Sequence, residues 1–312
     1  MDFQISLLRR QDATNKISVI LDPSVLVIGR PDESKKALLA WETVCTPKTA
    51  GGFNVVQLRT WNRAAICKLL WCLSNKKDRL WVRWINAYYG KYMHDWAVPK
   101  QASWVVQKII KARTYMLDTG LDVEEVLGWS SFSVKNMYVQ MRGNFQKVHW
   151  KKLTCNNAGS PKWIFVLNLT AQNKLLTRDR SASWGITQDV ICPLCNVENE
   201  SANHLFFACA FSEGIWATIL AWQGIRRNVL EWKDEVQYAT TRASGNSVSA
   251  CIYRMSIAAS IYQIWAERNM RIFQSKSGNP DLIIRQVIRE VVGRGTMRAR
   301  LARKLEELNS YP

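Results

Sequence analysis

Four residues, Cys192, Cys195, His204 and Cys209, constrain the fold of this chain more than any other feature. The spacing Cys-x2-Cys-x8-His-x4-Cys gathers three soft thiolates and one imidazole, the donor set of a closed tetrahedral structural zinc site. The short gap in Cys192-Pro193-Leu194-Cys195 allows a tight turn that brings both sulfurs to one metal. Pro193 fixes one dihedral of that turn and lowers the entropy cost of closing it. A closed site leaves no position for water or substrate, so it argues for structure or binding rather than hydrolysis. The second pair poses a geometric difficulty. Residues five apart on an ideal helix are separated by about 140°, so His204 and Cys209 cannot both point inward from mid-helix. Either His204 lies at a helix start or Cys209 lies just past a short turn.

The rest of the chain reads as mainly α: an irregular helical domain with a small zinc-binding knuckle and a C-terminal helical extension. With 47% apolar residues and 15 Trp, much of it must bury itself. Residues 1–34 have no clear period and end in the turn signal Gly29-Arg30-Pro31-Asp32. Residues 35–125 form a helical connection, 126–225 the zinc-binding domain, and 226–312 a helical region with a basic tail. From Trp61 to Trp84 the pattern is helical, with Ala65, Leu69, Cys72 and Leu73, then Leu80, Trp84 and Ala87, at spacings of three and four. Ser103 is placed to cap a helix running to about Met116. Phe211 to Trp222 reads as a helix leaving the zinc, and Asn228 to Ser249 as a linker. Ile252 to Phe273 reads as an amphipathic helix stopped by Ser275 to Pro280. A last helix from Asp281 carries Ile284, Ile288 and Val291 on one face, with Arg285, Arg289 and Arg294 outside.

A net charge of +18 makes polyanions the natural partners, RNA or DNA above all. The run Arg294, Arg298, Arg300, Arg303 and Lys304 offers an exposed patch for phosphates. Basic residues interleaved with aromatics, Lys76-Lys77…Arg79…Trp81…Arg83-Trp84, suit phosphate contact with stacking rings, or a core edge with cations outside it. No stretch reaches the roughly 18 apolar residues of a membrane span, and no signal-peptide pattern opens the chain. An intracellular protein without a membrane partner is expected, in nucleus or cytoplasm, and its eight cysteines then favour metal over disulfides. His94-Asp95 and His149-Trp150 lack a nucleophile or paired carboxylate beside them. Glu124-Glu125 reads as a solvated helix face and Gly51-Gly52 as a turn. No catalytic residue and no small-molecule substrate is expected.

The run Cys192-Pro193-Leu194-Cys195…Glu200-Ser201-Ala202-Asn203-His204-Leu205-Phe206-Phe207-Ala208-Cys209, followed by Ile215-Trp216, resembles the reverse-transcriptase zinc-binding domain of plant non-LTR retrotransposons. Pro161-Lys162-Trp163-Ile164-Phe165…Leu175-Leu176-Thr177-Arg178-Asp179-Arg180…Trp184-Gly185-Ile186 is similar to the family's approach to the zinc. Trp41-Glu42-Thr43-Val44-Cys45, Gly51-Gly52-Phe53 and Trp61-Asn62-Arg63-Ala64 are similar to its linker after the polymerase. Ile264-Trp265-Ala266-Glu267-Arg268-Asn269-Met270-Arg271-Ile272-Phe273 is similar to its helix beyond the zinc. The resemblance covers roughly residues 35–275 and implies the same four zinc ligands. Asn168 departs from the aromatic residue usual in the family. The family's polymerase uses a Tyr-x-Asp-Asp aspartate pair, and this sequence contains no Asp-Asp pair. Forty residues before Trp41 are too few for a polymerase, and too few follow Phe273 for a ribonuclease H domain. The expectation is a non-catalytic, zinc-stabilised module that binds nucleic acid without strong sequence preference. The alternative is a structural or protein-interaction remnant in which zinc only completes the fold.

Overall fold

The computed structural model describes residues 38–93 and 102–308. The N-terminal segment 1–34 and the pair His94-Asp95 lie outside the described residues. The described chain is mainly helical, and among its residues the β-pairing is a single antiparallel bridge, Ile191 with Asn199. Two compact units divide it, one of residues 44–47 and 52–146, the other of 38–43, 48–51 and 147–308. The boundary at 146/147 falls within the 126–225 segment assigned to the zinc region from sequence. A one-turn helix α1 (Trp41–Cys45) precedes both cores.

The smaller unit holds α2 (Leu58–Asn75), α3 (Leu80–Met93), α4 (Trp104–Leu117), α5 (Val123–Leu127) and α6 (Val134–Arg142). Helix α2 packs between α4 and α6. Ala64, Cys67 and Ala112 are fully buried at the α2–α4 contact, where small side chains let the two backbones approach. The Cys67 thiol donates to the Ala112 carbonyl at 3.7 Å, and burial pushes it up to about 12. Of the residues that the sequence pattern grouped, Cys72 and Leu73 are buried, Ala65 is half-buried and Leu69 is exposed. Ala64, Cys67, Leu70 and Trp71 complete the buried face. Apolar residues nearly encircle α2, so periodicity alone does not choose the face. The helical run 61–84 is also two helices. Asn75 breaks it by donating its side-chain amide to the carbonyls of Trp71 and Leu127, at 3.1 and 2.7 Å. Ser103 caps α4 as expected, its hydroxyl accepting from the Val106 N–H.

The larger unit contains α7 (Lys151–Cys155), α8 (Pro161–Ala171), α9 (Arg178–Ser183), α10 (Ala210–Trp222), α11 (Trp232–Thr241), α12 (Val248–Gln274), α13 (Pro280–Thr296) and α14 (Ala299–Leu308). The 27-residue α12 is its axis, with α8, α10, α13 and α14 packed against it. Residues 252–262 of this helix are all buried, so it is amphipathic only toward its C-terminus, where Ala266 and Phe273 are exposed. Seventeen of its residues are buried, among them Arg254, Glu267 and Arg268. A helix covered on every side must satisfy its polar groups internally. Arg254 does so on three carbonyls, those of Ala243, Gly245 and Asn156. The 228–249 segment is not a plain linker, because α11 lies within it. Its Trp232 stacks on Phe207 with centroids 5.8 Å apart and planes 15° apart. Such an element is hard to read from Trp-Lys-Asp-Glu-Val-Gln-Tyr-Ala-Thr-Thr, where few apolar residues mark a face. Asn168 is buried, and its side-chain carbonyl accepts from Gln172, whose amide also reaches the Gly51 carbonyl at 2.9 Å. The last helix of the sequence reading is two helices, α13 and α14, with Leu301 and Leu305 of α14 turned into the core.

Candidate metal centre

The first ligand pair sits on a knuckle. Val190 and Cys192 run antiparallel to Glu198 and Glu200, joined by Cys192 N–H to Glu198 O and Glu200 N–H to Val190 O, both 2.7 Å. Between them Asn196 takes a positive φ of 56° and donates its N–H to the Cys192 carbonyl at 2.8 Å, turning Cys195 back toward Cys192. Asn is among the few non-glycine residues that enter this region at small cost. The second pair follows at once. Ser201 caps the turn, its hydroxyl accepting from the His204 N–H at 3.1 Å.

The difficulty over His204 and Cys209 is resolved by a wider turn. Residues His204–Ala208 form one π-helical turn, closed by the Cys209 N–H donating to the His204 carbonyl at 2.7 Å. An i→i+5 bond carries residue five back over residue one, so both side chains reach the same side. Cys209 then leaves the turn with extended backbone and stands at the N-cap of α10. Both options that an ideal helix left open contribute, since His204 is near the helix start and Cys209 is past the turn.

The four ligating atoms lie within 4.8 Å of one another. Cys192 Sγ and Cys209 Sγ are 4.0 Å apart, and Cys195 Sγ is 3.3 Å from His204 Nε2. A tetrahedron with Zn–S bonds of ~2.3 Å has edges of ~3.8 Å, so the set fits one zinc ion. Cys192 and Cys209 are fully buried, and Cys195 alone is partly exposed. The Cys209 thiol is drawn below its ordinary value, first by its hydrogen bond from Cys192 and, against burial, by the Phe211 and Ser212 N–H groups that open α10. Its partner Cys192 is pushed up, by that same bond and by burial. A helix N-terminus facing a sulfur favours the thiolate that a metal requires.

Around the ligands lies a layer of charge that the spacing of cysteines does not announce. His204 Nδ1 stands 3.1 Å from Glu198 Oε2, close enough to pair though not aligned as a hydrogen bond, leaving Nε2 on the metal side. A carboxylate on that side favours the tautomer whose proton is on Nδ1. Arg271 of α12 donates to the carbonyls of Pro193 and Leu194 at 3.2 and 2.9 Å, gripping the knuckle from behind. It is held by Glu267 at 2.7 Å, and its guanidinium lies 4.5 Å from the Phe211 ring centre. Arg268 donates to both oxygens of the buried Glu200 carboxylate, at 2.9 and 3.1 Å. Burial raises the Glu200 carboxyl, with Arg268 and Arg178 pulling it back. The signal for these residues was present in Trp265-Ala266-Glu267-Arg268-Asn269-Met270-Arg271: three charges inside an apolar helix need partners.

The remaining candidates stand apart from the metal site. Arg294, Arg298, Arg300, Arg303 and Lys304 are all exposed on α13, α14 and the turn between them. Arg303 and Lys304 reach Glu307 at 3.8 and 3.0 Å, and Arg300 donates to the Asn246 carbonyl. His149 is exposed at the rim of a cleft of about 770 Å³ lined also by Asp179, Ser201, Asn203 and Trp232. Trp150 beside it is buried, and Glu124 and Glu125 are exposed in the first turn of α5.

A family model described as zinc-binding in reverse transcriptase matches residues 132–216, which include all four ligands. The metal that this Cys3His set takes is zinc. The chain is 36% identical over 76 residues to a protein of Arabidopsis thaliana named "Putative ribonuclease H protein". That match covers 23% of this chain and 12% of the relative. No solved structure matches. Among the described residues, no helix is long and apolar enough to cross a membrane.

Proposed function

We propose that this chain is a non-catalytic, zinc-stabilised module that binds RNA or DNA without strong sequence preference, derived from the polyprotein of a plant non-LTR retrotransposon. The zinc has a structural role: three thiolates and one imidazole complete its coordination, and Arg271 and Arg268 tie the knuckle and Glu200 to the central helix. A catalytic zinc keeps one position open for water or substrate. The observation that carries the binding role is the exposed row Arg294, Arg298, Arg300, Arg303 and Lys304, held on helices whose apolar sides are docked into the core. Cations on a rigid face bind phosphates by releasing counterions, at any sequence.

A gel-shift series in rising salt tests this. Affinity should fall steeply between about 50 and about 200 mM salt. Joint reversal of Arg298, Arg300 and Arg303 to Glu should lower the slope of log K against log salt by about 2 to 3. Affinity that ignores salt, or no binding at low salt, would overturn the proposal. The structural-remnant reading predicts that the reversal changes nothing.

A further inference from the structure

Helix α3 (Leu80–Met93) in the smaller unit turns Trp81 and Tyr89 toward the core and leaves Trp84 and Tyr88 exposed. Val82 and Ile85 are buried, and Trp81 and Tyr89 pack against the same core. On the adjoining face Leu80 is 81% exposed, Trp84 48% and Tyr88 68%. These three follow each other at i, i+4 and i+8, so they form one stripe along the outer face. The Trp84 and Tyr88 ring centres are 4.9 Å apart with planes inclined at 39°, both rings also touch Tyr89 at 6.2 and 6.5 Å, and each remains about half exposed or more. Contiguous exposed apolar side chains of this size mark interaction surfaces.

The charge around the stripe selects the partner. Lys77, Arg79 and Arg83 are exposed, and Lys76 lies beside them with its ammonium 5.5 Å from the Trp71 ring centre. Arg83 precedes Trp84 and sits one turn from Ala87, which places it along the edge of the stripe. Asp78 is the single acidic residue from 76 to 90. No carboxylate pairs with Lys77, Arg79 or Arg83 among the described residues. Open rings bordered by unpaired cations match a strand whose bases are free to stack and whose phosphates are free to pair. A duplex hides its base faces and would leave the rings unused.

We propose that the Leu80–Trp84–Tyr88 face, with Lys77, Arg79 and Arg83, is a docking surface for a single-stranded polynucleotide. Trp84 and Tyr88 take unpaired bases and the cations take flanking phosphates. The sugar is not read. The inference rests on the reading of this chain as a nucleic-acid binder, but it assigns the single-strand contact to residues outside the C-terminal basic row.

Fluorescence anisotropy with labelled oligo(U), oligo(dT) and a duplex of matched length tests it. The proteins compared are the full chain, Trp84→Ala with Tyr88→Ala, Trp84→Phe with Tyr88→Phe, and the triple Glu reversal at Arg298, Arg300 and Arg303. The Ala pair should weaken both single strands by about tenfold or more, and the duplex by less than about twofold. The Phe pair keeps the stacking faces and should remain within about threefold of the full chain. Melting curves report whether each variant is folded. Unchanged single-strand affinity in the folded Ala pair would overturn the proposal, as would equal losses on single strands and duplex, or a Phe pair as weak as the Ala pair. An unaffected Ala pair beside a triple reversal that loses all binding refutes this surface while leaving the C-terminal reading standing. An intact triple reversal beside a weakened Ala pair does the opposite.

Discussion

Glu200 and Arg268 meet where both side chains are almost wholly out of water. Two charges so placed repay their desolvation chiefly as a pair, so removing Arg268 leaves Glu200 with only the longer contact to Arg178 at 3.9 Å. Arg268→Ala should therefore cost about 3–5 kcal/mol in urea unfolding. Replacing both, Glu200→Leu with Arg268→Met, should lie within about 2 kcal/mol of the native chain. Equal losses in the two variants would show that the guanidinium's other contacts, to the Leu176 carbonyl, the Asn269 side chain and the Trp265 ring, matter more than the charge. At this scale the four metal ligands were legible, because their chemistry is written in residue type and spacing. Glu198, Glu200, Arg268 and Arg271 were not assigned roles. Each works through a partner up to 78 positions away, and only folding fixes the pairing.

At the scale of elements, the caps and breakers were readable and the faces were not. Ser103 and the Ser275 stop lie where local chemistry puts them. The π-turn of His204–Ala208 has no such local mark. An ideal helix cannot bring His204 and Cys209 together, so a departure was required, but its kind was open. Two glycines of α13 separate propensity from packing. Gly293 has open space where a Cβ would stand, so Gly293→Ala should stabilise by about 0.5–1 kcal/mol. Gly295 is buried, and a Cβ there would run into the Leu305 side chain, itself fully buried on α14. Gly295→Ala should destabilise by about 1–3 kcal/mol and loosen α14 from α13. Thermal melts of the two variants check the opposite signs, and shifts of the same sign would refute the packing assigned to Gly295.

For the molecule as a whole, two separate cores imply two responses to metal. All four ligands belong to the larger unit, where Arg271 ties the knuckle to α12. Purified protein should carry one equivalent of zinc, and Cys192→Ser none. Chelation should lower the melting of the larger unit by roughly 10 °C or more, leaving the smaller within about 2 °C. A single transition moving as one, or a smaller unit that falls equally, would contradict this. The sequence by itself determined the helical class, the zinc ligands and the basic character, because each depends on residue type at short range. Only the tertiary structure decided which face of α2 is buried, that residues 252–262 of α12 are covered all round, and that Trp81 turns inward while Trp84 and Tyr88 stay outside. Those choices depend on what the neighbouring helices cover, and a local pattern contains no record of its neighbours.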